Sequence, residues 1–231
     1  MEKELKLQPR LACLASCVPE GARLADVGTD HGYVPVRLLQ EKKIAYAIAS
    51  DIGREPLEHA RRTAAEYEIS EGLDFRLCPG LEAIGLAEVD TVLIAGMGGE
   101  TIMEILAAAP WTKNGEHLLL LQPQTKIEEL RIWLVEQGYC CVEEKLVLDK
   151  EKLYVVLLVR GGKSEKCGVL ESYAGFCLSQ DSLYGTYLDR QIKRLQLRAA
   201  GLERGGREDE TLVALIDALK KKREEWTNAN S

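Results

Sequence analysis

Apolar residues in this chain gather into short runs, and most runs lead into a stretch whose apolar positions recur every three to four residues. Arg23–Val27 reads as a strand and Tyr33–Glu41 as its helix. Ala45–Ile52 then pairs with a helix over Glu55–Tyr67, and Leu73–Leu77 with a short turn at Leu81–Ile84. Val89–Ala95 precedes a helix over Glu100–Ala108, and His117–Gln122 precedes one over Ile127–Gln137. After Gly138 the helical period lapses. Tyr139–Leu148 and Leu153–Val159 follow as two strands joined at Asp149-Lys150-Glu151, a link suited to a hairpin. Five β/α alternations predict a parallel sheet covered on both faces, with the hairpin adding an antiparallel strand at one edge. Gly161-Gly162-Lys163-Ser164 reads as a linker, which divides the chain into domains at 1–162 and 163–231. Beyond it the period is helical again. One stripe is Leu183, Tyr187, Leu188, Ile192 and Leu195; a second is Leu212, Leu215, Ile216, Leu219 and Trp226. With Gly201 and Gly205-Gly206 breaking them apart, the two predict a helical hairpin like a short antiparallel coiled coil.

The 231 residues suffice for one full α/β domain plus a smaller appendage. No apolar run approaches the roughly 18–20 residues of a membrane span. Met1-Glu2-Lys3-Glu4 does not open a signal peptide, so a cytoplasmic protein without membrane contact is expected. The seven cysteines are odd in number and contain no C-x-x-C pair, so they read as reduced residues, several within apolar strand-like runs. Cys13 and Cys17 lie four apart on a segment read as helical but have no second pair, and no metal site is expected. The net charge of −7 argues mildly against a nucleic-acid partner, yet residues 183–226 carry ten Lys/Arg against eight acids. This basic tail on an acidic body is either a solvated helical face or a binding surface.

The richest motif is Leu24-Ala25-Asp26-Val27-Gly28-Thr29-Asp30-His31-Gly32-Tyr33-Val34-Pro35. A buried strand ends beside a carboxylate, and a glycine-spaced turn opens a helix, an arrangement that brings backbone close to a nucleotide-like ligand. The spacing is not G-x-G-x-x-G. A carboxylate at the strand end suits a cation better than a pyrophosphate, which points to S-adenosylmethionine (AdoMet), whose sulfonium and amino group are both positive. About 20 residues past the turn, Asp51 ends the second strand, where it either takes the ribose hydroxyls or caps the next helix. Ala95-Gly96-Met97-Gly98-Gly99 follows the fourth strand, and its glycines permit close backbone approach. An acid-Pro-Pro-aromatic motif, common here in enzymes that methylate exocyclic amines, is absent. Gln122-Pro123-Gln124 sets two amides beside the same cleft, to read a base edge or to cap the turn. His31 and Tyr33 flank Gly32. His31 either binds the methionyl carboxylate or positions the acceptor, while Tyr33 either stacks on a base or packs on the next element. His59 and His117 read as structural.

Taken together, the glycine turn, Ala95–Gly99 and Leu121-Gln122-Pro123-Gln124 resemble the bacterial TrmK family, tRNA (adenine(22)-N1)-methyltransferases, over essentially the whole chain. The resemblance implies a class I AdoMet-dependent methyltransferase fold with its seventh strand inserted antiparallel, plus a C-terminal coiled-coil-like helical domain. It implies AdoMet bound around Asp26, Gly28, His31, Gly32, Asp51, Ile52, Gly80, Leu81, Gly96 and Met97, and a tRNA partner. One departure stands out. The family tends to show Gly-Asp-Gly or Gly-Asn-Gly after the third strand, where this chain has Cys78-Pro79-Gly80. Pro79 cannot offer the polar side chain, and losing one hydrogen bond of about 0.5–1.5 kcal/mol weakens binding about two- to tenfold. Adenine N1 carries its own lone pair, so the site must expose and align it rather than deprotonate it. Asp30, Tyr33 and Gln122 are the candidate catalytic residues, with Asp30 either receiving a proton from the cationic product or capping the helix. Arg190, Lys193, Arg194 and Arg198 are the candidate phosphate contacts. A monomer or weak dimer is expected. The competing readings are a small-molecule methyltransferase with the tail as lid, and a non-catalytic AdoMet-binding module.

Overall fold

The computed structural model describes residues 4–164 and 166–230. In chain order they form α1 (Pro9–Cys17), β1 (Arg23–Val27), α2 (Tyr33–Gln40), β2 (Tyr46–Asp51), α3 (Arg54–Glu66), β3 (Leu73–Leu77), β4 (Thr91–Gly98) and α4 (Gly99–Ala108). There follow β5 (Leu118–Thr125), α5 (Ile127–Glu136), β6 (Tyr139–Asp149), β7 (Lys152–Gly161), α6 (Val169–Ala174), α7 (Tyr184–Arg204) and α8 (Glu210–Ala229). The seven strands make one sheet in the order β3-β2-β1-β4-β5-β7-β6. Chain order reverses between β1 and β4, which opens a crevice at their carboxyl ends, the usual ligand position in such sheets.

Strand β5 shows how the core is divided. Leu118 and Leu120 pack with α1 and α2 through Leu14, Val34 and Leu38. Leu119 and Leu121 pack on the other face with Ile102 and Leu106 of α4 and Leu130 and Leu134 of α5. Alternate residues thus bury both ways, so a strand covered on both faces reads as an unbroken apolar run.

The hairpin corrects one expectation. Its antiparallel strand is not at the edge: β7 pairs with β5 on one side and β6 on the other, leaving β6 outermost. Lys150, at φ 55°, makes the tight reversal. Val155–Val159 are buried at every position, whereas in β6 only Tyr139, Glu144, Leu146 and Asp149 are buried. The more apolar strand therefore takes the inner place.

The helical tail also differs in detail. Gly201 lies inside α7, and only the Gly205-Gly206 pair ends that helix. One interior glycine costs about 1 kcal/mol, which packing along 21 residues outweighs. The first turn of α7 meets the last turns of α8, with Tyr184 edge-on to Trp226 at 6.2 Å and Arg223 Nε 3.0 Å from Asp189 Oδ1, so the helices run antiparallel. Tyr184, Tyr187, Leu188, Leu212 and Ile216 join the same apolar cluster as β4, β5 and α5. Beneath them Arg131 of α5 is fully buried. Its Nε donates to Glu144 Oε1 at 2.9 Å, and its Nη1 donates to Ser172 O at 2.7 Å and Tyr187 Oη at 2.9 Å. Glu144 Oε2 accepts from the backbone N–H groups of Phe176 and Cys177. All seven cysteines are free, but only Cys17 and Cys78 are buried. No described helix is long and apolar enough to cross a membrane.

Candidate active site

A cavity of about 670 Å³ opens over the carboxyl ends of β1, β2, β4 and β5. Residues 5–8 and the first turns of α1 form its outer wall, through Leu5, Lys6, Leu7, Gln8, Arg10 and Leu11. This wall has no counterpart in the sequence expectations. Its one signal, the apolar positions 5, 7, 11 and 14, lies upstream of the β/α alternation that organised the rest.

Asp26 forms the cavity's buried anionic end. Burial, aided by the Asp51 carboxylate, pushes its pKa up to about 6, against the stabilising hydrogen bond from Thr29 Oγ1 at 2.6 Å. The turn that follows is pinned to β2 by the N–H groups of Gly28 and Thr29 on Ser50 O, at 2.8 and 3.0 Å. Gly28 has φ 73°, and a Cβ there would lie 2.1 Å from Met97 Cε. The positive φ demands glycine, while the tip of the Met97 side chain is free to shift. Asp51 reaches the cavity wall while its Oδ1 accepts from Gly53 N–H at 2.8 Å. Asp51 therefore closes the turn onto Gly53, the N-cap of α3, and does not cap the helix's first turn, which leaves Oδ2 on the cavity side. Its neighbour Ile52 is 77% exposed, an apolar side chain beside the ligand crevice.

Two rings, His31 and Tyr33, line the mouth, and His59 stacks behind them. His31 stacks on Tyr33 at 5.1 Å and 10°, and on His59 at 4.9 Å and 7°. His59 thus belongs to the site's rim rather than to the packing of α3 alone. His117 is structural, bonded to Asn114 Oδ1 and Leu86 O, both at 2.9 Å. Asp30 lines the cavity, is exposed, and lies 3.7 Å from His31 Nε2. Its φ of 51° belongs to the tight turn before α2. Asp30, His31 and His59 bring ligand atoms within 4.8 Å of one another. The imidazole planes are parallel, so their in-plane lone pairs do not converge on one point, and the geometry is that of a stack.

At the other end, β4 bulges. Its register against β5 shifts between Ala95 and Met97, and Gly96 takes φ 79°. Both Gly96 and Met97 reach the cavity. Gln122 does not. It is fully buried, its Nε2 donating to Pro123 O at 3.0 Å and its Oε1 accepting from Arg10 Nη1 at 2.8 Å. Gln124, on the same face two residues further along β5, lies past the buried part of the strand and lines the cavity instead. Four further expectations also miss the wall: Ile52 is exposed to solvent, and the other three pack away from the cavity. Gly32 packs against Ala60, a Cβ there lying 3.0 Å from Ala60 Cβ; Gly80 faces Ile105; and the Leu81 side chain is buried in the core. In each of these three the turn geometry recruits the residue for packing.

The basic residues of α7 divide. Arg190 and Arg194 line a groove of about 420 Å³ together with Lys126, Lys152 and Tyr154. Arg194 is committed to Glu128 by an ion pair and donates to Gln191 Oε1 at 2.7 Å. Arg190 makes one backbone contact, to Glu151 O at 3.1 Å. Lys193 and Arg198 are exposed on the same helix.

A methyltransferase-domain family model matches residues 7–157. A Bacillus subtilis protein described as tRNA (adenine(22)-N(1))-methyltransferase is 34% identical over 84% of this chain and 80% of its own. The crystal structure of the B. subtilis m1A22 tRNA methyltransferase TrmK superposes with TM-score 0.79 at 27% identity, covering 97% of this chain and 99% of that one. The M. capricolum TrmK structure, in complex with S-adenosyl-homocysteine, gives TM-score 0.76 at 26% identity, covering 94% and 98%. With 34% identity over most of both chains and a common fold over nearly full length, this chain belongs to the TrmK family of tRNA (adenine(22)-N1)-methyltransferases.

Proposed function

We propose that this protein transfers the methyl group of AdoMet to N1 of an adenine, adenine 22 by family membership, in tRNA. The observation that carries the reading is the cavity's polarity. A buried carboxylate, Asp26, sits at one end, and a cation and an amide, Arg10 and Gln124, at the other, with Gln122 buried behind them. The donor set fits AdoMet. Asp26, with its pKa pushed up to about 6 by burial, gains most from a positive ligand. Asp51 Oδ2 serves the ribose, Ile52 offers the adenine an apolar face, and the Gly28–Met97 contact seats the backbone against the methionine part. AdoMet supplies an electrophilic methyl on a cationic sulfur.

The chain's own task is to present the base. Tyr33, about 37% exposed and already stacked on His31, is a platform for a flipped purine; such stacking is worth about 1–3 kcal/mol per base. It offsets the few kcal/mol of extrusion. N1 is itself the nucleophile, so no general base is required. Asp30, exposed at the mouth, takes a proton from the cationic product or hands it to solvent. A monomer or weak dimer acting in the cytoplasm, where tRNA is found, is in keeping with this reading. Residues 1–162 carry the chemistry, and 163–231 carry phosphate contacts through Arg190, Lys193 and Arg198, joined by Lys126 and Lys152 across the groove.

Incubation with methyl-labelled AdoMet and unmodified tRNA transcripts, followed by digestion, tests this directly. Labelled 1-methyladenosine is expected. Label on another atom or base overturns the reading, and AdoMet binding without label moves the protein to the small-molecule or binding-module class.

A further inference from the structure

The acceptor end of the cavity contains a chain of hydrogen bonds whose direction is set by a single residue. Arg10 is a guanidinium, which can only donate. Its Nη1 lies 2.8 Å from Gln122 Oε1, so that oxygen is the acceptor and the Gln122 amide cannot turn over. The Gln122 amide nitrogen accordingly donates to Pro123 O at 3.0 Å. The same Oε1 receives Gln124 Nε2 at 3.4 Å. Two donors thus converge on one fixed oxygen, and Gln124 must present its nitrogen inward and its Oε1 away from Gln122. Gln124 is exposed to the cavity, and among the described residues none donates to that Oε1.

Arg10 is itself held in place. Its backbone N–H donates to Asp149 Oδ2 at 3.3 Å, and its guanidinium lies 5.6 Å over the Tyr154 ring. The hairpin between β6 and β7 thereby anchors the first turn of α1 against β5.

We propose that Arg10, acting through Gln122, locks the Gln124 amide with its oxygen facing the acceptor base, and that this oxygen accepts a hydrogen from an exocyclic purine amine. Arg10 is a positioning residue and Gln124 the specificity-determining one. An adenine presents such a donor at C6 next to N1. A guanine presents an acceptor at C6 and a protonated N1, and meets the locked oxygen with repulsion. The inference rests on the reading of the substrate as an adenine methylated at N1 and adds the device that selects it.

The test uses full-length protein and two tRNA transcripts that differ only at the target base, adenine in one and unsubstituted purine in the other. The readout is the ratio of kcat/KM for adenine over purine, in which intrinsic differences in N1 reactivity cancel between enzyme variants. Gln124→Leu is expected to lower that ratio about two- to tenfold, the loss of one neutral hydrogen bond. Arg10→Leu, which frees the Gln122 amide to turn, is expected to lower it as well. Arg10→Lys, still donor-only, retains it, a rescue that a purely structural role for Arg10 would not produce. AdoMet affinity, measured by calorimetry, reports that the variants are folded. An unchanged ratio in Gln124→Leu overturns the proposal, and an unchanged ratio in Arg10→Leu alone removes Arg10 from it. Failure of the wild-type enzyme to methylate any adenine overturns the parent reading and the relay together, a result distinct from adenine methylation at an unaltered ratio.

Discussion

Asp26 illustrates how a single residue trades stability for ligand affinity. In the fold its pKa is about 6 against an ordinary 3.8, because burial disfavours the charged form. The folded state therefore binds the proton more tightly than the unfolded chain. The stability this contributes is present below pH 4 and is lost as pH rises through about 6, a change of about 3 kcal/mol at most. Asp26→Asn should consequently raise the melting temperature of the ligand-free protein at pH 7.5, by the equivalent of about 1–3 kcal/mol. Cofactor binding has the opposite sign. It needs the carboxylate, so wild-type AdoMet affinity should fall toward tenfold per unit as pH drops below about 6. In the Asn variant calorimetry should find weak affinity that no longer varies over that window. A wild-type profile flat from pH 5 to 7 would refute this account of Asp26. At Gly28, whose φ of 73° strains any side chain, alanine should distort the turn and weaken AdoMet binding severalfold while leaving a folded protein.

Between elements, the decisive contact is the buried ion pair joining α5, β6 and the helical tail. The Arg131 and Glu144 side chains are both fully buried, with Nη2 to Oε1 at 2.8 Å. Truncating Arg131 strands a carboxylate in the core, while its partners Ser172 O and Tyr187 Oη lose their donor. Arg131→Met should therefore cost about 3–5 kcal/mol in urea unfolding. The double variant Arg131→Met/Glu144→Leu should recover part of it, because no charge is left unpaired, although Phe176 and Cys177 N–H groups then lose their acceptor. Equal destabilisation in single and double variants would show that packing, not charge, dominates.

At the scale of the whole molecule, a net charge of −7 coexists with a polyanionic substrate because the cations are distributed unevenly. The groove between the sheet and α7 gathers Lys126, Lys152, Arg190 and Arg194 from sequence-distant elements. Arg194 is paired with Glu128, so its reversal would set two carboxylates together and confuse stability with binding. Replacing Arg190, Lys193 and Arg198 with Glu should raise the KM for tRNA at least tenfold and leave AdoMet affinity within twofold. The log–log salt slope should shrink by about 0.7–0.9 per lost phosphate contact. An unaltered tRNA KM and salt slope would remove α7 from the interface.

The local elements were legible from the chain alone. Periods of two and 3.6 follow from backbone geometry, and β1 and β3 have the bounds that their apolar runs imply. The glycine turn, with Asp26 and Asp51 at two strand ends, was legible for the same reason: a parallel sheet places consecutive strand ends side by side. What the sequence could not determine were choices among residues equally suited by type. Gln122 and Gln124 are both amides on one face of β5, and only what packs over the strand's carboxyl end, Arg10 included, decides which one is buried. Arg10 precedes every recognised motif and reaches the site across 112 positions, so nothing local marks it. His59 is one residue of α3 until the fold stacks it on His31. The hairpin's antiparallel strand takes an inner slot because its apolar run must be buried on both faces, a competition settled only once both neighbours are present. Sequence determined the elements and their chemistry through short-range geometry; tertiary structure decided which side chains share the cavity, because that depends on contacts between residues far apart in the chain.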